Sequence, residues 1–432
     1  MQRNVTMMLR RPVLMGMHQR NTLNTQSLRR NAGSKLNFLC RELSTTGPPP
    51  VNPQIGWWLA GCGGVVGGMV AVGGLTRLTK SGLSMTEWRL QGSMFPLNEE
   101  QWNEEFQRYQ KYPEFQQRKD MSLNEFKTIF WWEYGHRMLG RFIGLCFVVP
   151  FTYFSFRRMI PNWLLPRCWG LLGLGATQGL VGWWMVKSGL NIETSSAFGD
   201  PNKEIRVSPY RLATHLGLAL TTYVGLIWSA LDVFKAATNS PFSSTQQLGR
   251  LPQFAAVTSM LVFATALSGA FVAGNDAGRA YNTFPKMTDD SWMPPDMFIL
   301  TPIYRNFFEN TGTVQFDHRC LAALTTAAVI TQLMATLPKW NQLTKSTKVA
   351  TTATGFALTA QVALGIATLL LYVPIPLAAA HQCGSLLLLA ASLASAHALR
   401  SGPLLMASTR RVVLNSTSPI SSSSIAGAAV SS

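Results

Sequence analysis

Eight stretches of this chain, near residues 55–75, 129–154, 167–186, 210–233, 254–273, 314–337, 349–372 and 377–399, are each long and apolar enough to cross the roughly 30 Å core of a bilayer as a helix. Within lipid a backbone must satisfy its own N–H and C=O groups, which continuous windows of this length do by forming helices. The composition agrees: 47% of the 432 residues are hydrophobic and only 13% are charged, too apolar for an ordinary soluble protein. The sequence therefore predicts an all-α membrane protein with eight transmembrane helices.

The charges between the windows fix an orientation. Loops after the even spans carry Arg157, Arg158 and Arg167, then Lys235 and Arg250, then Lys339, Lys345 and Lys348, and finally Arg400, Arg410 and Arg411, against one acid, Asp232. The odd loops hold nearly every other acid, among them Glu99, Glu100, Glu104, Glu105, Asp276, Asp289 and Asp290. The positive-inside rule places the even loops and both termini on the same, inner side. Residues 1–46 hold eight Lys/Arg and one acid, with no apolar core of the kind a secretory signal needs. That composition is expected of a mitochondrial transit peptide, so the inner side is expected to be the matrix of a protein of the mitochondrial inner membrane. The Ser-rich segment 401–432 is expected to be a disordered tail. The net charge of +17 thus resides in a leader and in loops, and no nucleic-acid partner is expected. The six cysteines, Cys40, Cys62, Cys146, Cys168, Cys320 and Cys383, show no CxxC pairing, which argues against a disulfide framework or a zinc site.

The first odd loop, 76–128, is the longest. Trp102, Phe106 and Tyr109 recur there at helical spacing, which predicts an amphipathic helix lying on the membrane surface or over the bundle. Ser122 and Glu125 form a capping-box pattern that starts the second span before its lipid-facing part. Trp131 and Trp132 read as an interfacial belt, and the Gly-rich run 61–74 as a surface for close helix packing.

The second span opens with ionisable groups, Glu133, His136, Arg137 and Arg141, where each charge costs roughly 3 kcal/mol or more in lipid. Of the six histidines, His18 falls in the leader and His397 near the inner end of the last span, where a structural or interfacial role is expected. The other four, His136, His215, His318 and His381, each lie four to seven residues into an even-numbered window. At 1.5 Å rise per residue they occupy one layer about 6–10 Å below the outer surface.

The chain also repeats itself. The segment HRMLG at 136 recurs as HRCLA at 318, and Gln178-x3-Gly182 as Gln361-x3-Gly365, at offsets of 182 and 183 residues. ATHLG at 213 matches AAHQC at 379, and Gly73 and Gly82 match Gly269 and Gly278. The organisation expected is two duplicated four-helix bundles, 50–235 and 250–400, each giving one histidine from its second helix and one from its fourth. Paired imidazoles across a four-helix core suit six-coordinate haem iron, whereas two histidines per half without nearby cysteine make a poor zinc set. Arg137, Arg319 and Arg211 read either as haem-propionate partners or as side chains snorkelling to lipid head groups.

The halves differ at one telling position. Three residues before its histidine the first half has Glu133, and the second has Gln315. Glu133 shares a helix face with His136 and reads as a general base or electrostatic stabiliser beside a porphyrin edge, or else as the i, i+4 ion-pair partner of Arg137. A di-haem b carrier exchanging electrons with quinone would explain the histidines but not this asymmetry. A duplicated transporter would need more midplane charge than the chain contains.

The motifs EYGHRMLGR, ATHLGLA, FDHRCLA and AAHQC, spread over eight spans, resemble the haem A synthase family in its mitochondrial form across roughly residues 55–400. The resemblance implies an inner-membrane oxidoreductase that oxidises a ring methyl of haem O to a formyl group, giving haem A for cytochrome c oxidase assembly. It implies that His136 and His215 hold the substrate haem O beside Glu133, that His318 and His381 hold a permanent haem b, and that a ferredoxin-type protein donates electrons. Haem O synthase, oxidase assembly factors and a second copy of the chain are further candidate partners in the surrounding lipid. Some bacterial members carry a cysteine pair in the first outer loop; residues 76–128 contain none, so no cysteine-dependent step carries over.

Overall fold

A computed structural model describes residues 51–400 apart from 90–91, 93, 196, 198–203 and 239–247. The leader at 1–46 and the tail at 401–432 lie outside the described residues. Eight long helices run through the rest: α1 Pro53–Leu78, α2 Leu123–Phe156, α3 Leu165–Gly189, α4 Pro209–Ala237, α5 Leu251–Gly274, α6 Thr311–Thr336, α7 Lys345–Leu370 and α8 Ile375–Leu399. Each covers one of the eight apolar windows, and the described residues contain no strand. Seven are apolar and long enough to cross a membrane by length and composition. The eighth, α3, has 25 residues, but its Gly, Gln and Trp content dilutes its hydropathy.

The helix starts are written in local chemistry. Proline occupies the first turn of α1, α3, α4, α5 and α8, where the missing N–H costs nothing. Asn52, Asn310 and Thr344 cap α1, α6 and α7 through side-chain oxygens. At α2 the expected capping box forms in full: Glu125 N–H donates to Ser122 Oγ at 3.3 Å and Ser122 N–H donates to Glu125 Oε2 at 2.8 Å.

The packing repeats in the two groups of four. In the first, α1 packs on α2 and α4, and α3 on α4; in the second, α5 packs on α6 and α8, and α7 on α8. The groups meet through α1 against α8, α4 against α5, and α4 against α8, so the first and last helix of each group form the shared centre. Lipid offers no hydrophobic drive between helices, so close approach comes from small residues. Gly56 and Gly63 on α1 supply it: a Cβ there would stand 2.7 Å from the Phe234 ring and 2.8 Å from Ile227 Cδ1, both on α4. Within the Gly-rich run 61–74, Gly63, Gly67, Gly73 and Gly74 meet side chains of neighbouring helices, as its composition predicts, whereas a Cβ on Gly61, Gly64 or Gly68 would have no neighbour within 4 Å among the described residues.

A short helix, Glu99–Gln110, stands in the first odd loop and packs over the bundle on the outer start of α2. Tyr109 and Phe106 stack at 5.3 and 5.1 Å on Phe126, and Trp102 meets Phe130 edge-on at 5.0 Å. Beneath it Glu114, only 5% exposed, accepts from Tyr109 Oη at 3.2 Å. Burial pushes its carboxyl above the ordinary carboxylate range, an effect that Arg118 offsets only in part.

At the opposite, even-loop end the two groups are tied by charge. Asp232 on α4 accepts from Arg167 of α3 at 2.6 Å and pairs with His397 Nε2 of α8 at 3.0 Å and with Arg400 just beyond α8. His397 is therefore structural, as expected, and Asp232, the lone acid of the even loops, is its reason.

Candidate functional site

The duplication delivers four imidazoles to equivalent places. His215, His318 and His381 fall six, seven and six residues after the first residues of α4, α6 and α8. His136 falls thirteen after the start of α2, because the first turns of that helix support the loop helix rather than the bundle.

Each ring faces a glycine of the preceding helix. A Cβ on Gly73 would stand 3.1 Å from His136 Nε2, on Gly182 3.1 Å from His215 Cε1, on Gly269 3.7 Å from His318 Cε1, and on Gly365 2.8 Å from His381 Cε1. These are the glycines that recur between the halves, so the repeat preserves room for the rings.

The donor chemistry suits haem. His215 and His381 each keep a buried Nδ1 with no hydrogen-bond partner among the described residues. Buried polar atoms are normally paired, so rings that keep a buried nitrogen unpartnered have bonding capacity that no described residue uses. His318 bonds through Nδ1 to Ser268 Oγ at 2.6 Å, which leaves Nε2 available. Gln178 Nε2 donates to the His215 carbonyl at 3.0 Å and fixes that turn of α4 against α3.

Glu133 is 4% exposed, and its Oε1 accepts from Arg137 Nε at 2.6 Å, so the ion-pair alternative raised by the sequence is present. Its second oxygen has no hydrogen-bond partner among the described residues. Gln315, 3% exposed at the matching place, is fully occupied: Nε2 donates to the Ala277 and Ala280 carbonyls at 2.7 and 2.6 Å, and Oε1 accepts from Arg319 at 3.2 Å.

The arginines read as propionate or head-group partners have other acceptors here. Arg137 donates to the carbonyls of Glu87 and Met85, both at 2.8 Å. Arg319 donates to those of Tyr281 and Lys286, at 2.6 and 3.1 Å. Arg141 likewise reaches the Arg89 carbonyl at 2.9 Å. Arg137 and Arg319, each next to a histidine of the layer, thus hold an odd loop to their half. Arg211 donates to Trp184 O at 2.8 Å and stacks on the Trp184 ring at 4.5 Å.

Residues 56–393 match the model of the COX15-CtaA family, described as cytochrome oxidase assembly protein. The chain belongs to the COX15-CtaA family. Among similar proteins, Heme A synthase COX15 of Arabidopsis thaliana is 46% identical over 83% of this chain and 77% of its own length. Heme A synthase COX15 of Bos taurus is 48% identical over 81% of this chain and 83% of its own. A protein of Schizosaccharomyces pombe named heme A synthase-mitochondrial ferredoxin fusion protein is 42% identical over 80% of this chain and 60% of its own length.

Within this COX15-CtaA chain, the sequence alone missed Ser268 and the purpose of the repeated glycines. The glycines left a signal in the repeat. Ser268 left one only as a mismatch, since Val72 stands at its place in the first half.

Proposed function

We propose that this chain is a haem A synthase, a membrane oxidoreductase that oxidises a ring methyl of haem O to a formyl group and so provides haem A for cytochrome c oxidase. Converting a methyl to a formyl carbon removes four electrons in all and installs one oxygen; with an electron donor present the balance requires dioxygen as oxidant, two O2 and four donated electrons with four protons giving the formyl group and three waters. In this reading His136 and His215 hold haem O as substrate, and His318 and His381 hold a haem b. When bound, that haem b supplies one-electron transfer; the remaining functions belong to side chains of the chain itself.

The observation that carries the reading is the contrast between Glu133 and Gln315. In the second group a neutral amide spends every donor and acceptor on its own loop, as a purely structural residue does. In the first, a buried carboxylate keeps one oxygen unpartnered three residues from a ligand histidine, on the same helix face. Such an oxygen can take a proton from the substrate substituent or stabilise positive charge on its carbon. Arg137 holds the carboxylate in place through Oε1. A carrier that only relayed electrons would have no use for the difference.

A ferredoxin-type protein is the electron donor, a reading supported by the name of the Schizosaccharomyces pombe relative. The membrane is the mitochondrial inner membrane, with even loops and both termini in the matrix, as the distribution of Lys and Arg supports. Extraction of haem from cells that make haem O, followed by mass spectrometry, tests the activity. Haem A that appears only when this chain is expressed supports the synthase; unmodified haem b alone would sink it in favour of a carrier.

A further inference from the structure

The fourth-helix histidines are alike in the two halves: both abut glycine and both keep Nδ1 unpartnered. The second-helix histidines differ. Ser268 Oγ lies 2.6 Å from His318 Nδ1 and 2.8 Å from the Thr265 carbonyl. With the serine proton on that carbonyl, the contact is a hydrogen bond from His318 Nδ1–H, the tautomer that leaves the Nε2 lone pair for a metal. A further hydroxyl pair, Thr265 Oγ1 with Thr325 Oγ1 at 2.7 Å, braces α5 against α6 at this level. In the first half, by the register that equates Gly73 with Gly269 and His136 with His318, the matching residues are Val72, Met69 and Ile143. All three are apolar, and His136 has no hydrogen-bond partner among the described residues.

We propose that Ser268 is the positioning residue that makes the second half a haem-retaining site, and that Val72 at the matching place makes the first half a site that releases its haem. A partner on the distal nitrogen of a ligand histidine locks the ring and raises its basicity, and loss of such a partner typically costs 10–100-fold in metal affinity. A resident haem needs that lock. A substrate that must leave as product is served by its absence. The inference rests on the haem A synthase reading, since it assumes that one haem stays while the other turns over.

The test uses full-length protein purified in detergent, as wild type, Ser268→Val, Ser268→Thr and Val72→Ser. Haem loss is followed by transfer to apomyoglobin, and the midpoint potential of the retained haem by redox titration. In Ser268→Val, release from the second half is expected to speed roughly 10–100-fold, with a more positive potential; Ser268→Thr, which keeps the hydroxyl, retains both values. In Val72→Ser the new hydroxyl has the Met69 carbonyl as its acceptor, and haem leaves the first half more slowly. Unchanged release and potential in Ser268→Val overturns the proposal, as does unchanged release in Val72→Ser, whose outcome is independent of any folding defect in the other variant. Wild-type protein that carries no haem would instead overturn the functional reading itself.

Discussion

The Cβ that Gly365 lacks would stand 2.8 Å from His381 Cε1, inside the closest approach that carbon atoms make without one of them moving. The His381 ring thus occupies space that only glycine leaves open. Overpacking of this kind costs about 1–3 kcal/mol, which corresponds to roughly 5–160-fold in affinity when the displaced group is a ligand. Gly365→Ala is expected to lower haem occupancy of the second half by a factor in that range, measured by absorption spectra and haem extraction. Gly269→Ala, where the same atom would meet His318 at an ordinary 3.7 Å, is expected to bind haem as wild type does.

Glu133→Gln gives the first half the residue type of the second. The amide oxygen can still accept from Arg137, so both haems are expected to remain bound, while conversion of haem O to haem A falls at least about 100-fold, the lower range for loss of a general base. Chromatography of extracted haems reads the conversion, and the absorption spectrum reads occupancy. Loss of haem together with activity would make Glu133 a structural residue.

Asp232, with 9% of its side chain exposed, is the shared acceptor for Arg167, His397 and Arg400. Asp232→Ala removes their shared carboxylate at the junction of α3, α4 and α8. Removing one partner of a buried pair costs about 3–5 kcal/mol, and the partial exposure of Arg167 favours the lower figure. Thermal unfolding in detergent, followed by tryptophan fluorescence, is expected to shift to lower temperature. The haem spectrum is expected to stay unchanged, because Asp232 lies seventeen residues, or about 25 Å along α4, from His215.

Glu114 makes the outer loop sensitive to pH. Its folded carboxyl holds a proton more tightly than an unfolded glutamate, whose ordinary value is about 4.3. The loop is therefore most stable below that value and loses stability as pH rises through the raised one. Amide hydrogen exchange over residues 99–121, corrected for intrinsic rates, is expected to show less protection at pH 8 than at pH 5. Glu114→Gln, which retains a partner for Tyr109, is expected to remove the difference; an unaltered pH dependence in that variant would exclude Glu114 as its source.

Much of the fold was legible because a bilayer makes length and hydropathy nearly sufficient. All eight windows became helices, and Ser122 and Glu125 announced the start of α2 by local hydrogen bonding alone. The window for α2 began six residues late because Phe126 and Phe130 are buried by Trp102, Phe106 and Tyr109, a tertiary partner that periodicity does not reveal. The candidate ligands were visible through the duplication, which also marked Gly73, Gly182, Gly269 and Gly365 without saying what they faced. Arg137 and Arg319 were open to two readings, and neither included the backbone carbonyls of Met85, Glu87, Tyr281 and Lys286, since a carbonyl leaves no trace in residue identity. Ser268 is an ordinary helix residue until His318 is known to lie across from it.

The guanidinium of Arg137 joins the Glu133 carboxylate to the carbonyls of Met85 and Glu87, and so ties the helix and the loop above it into one fastening. A change of charge or position at that carboxylate is therefore felt in the loop as well as in the helix.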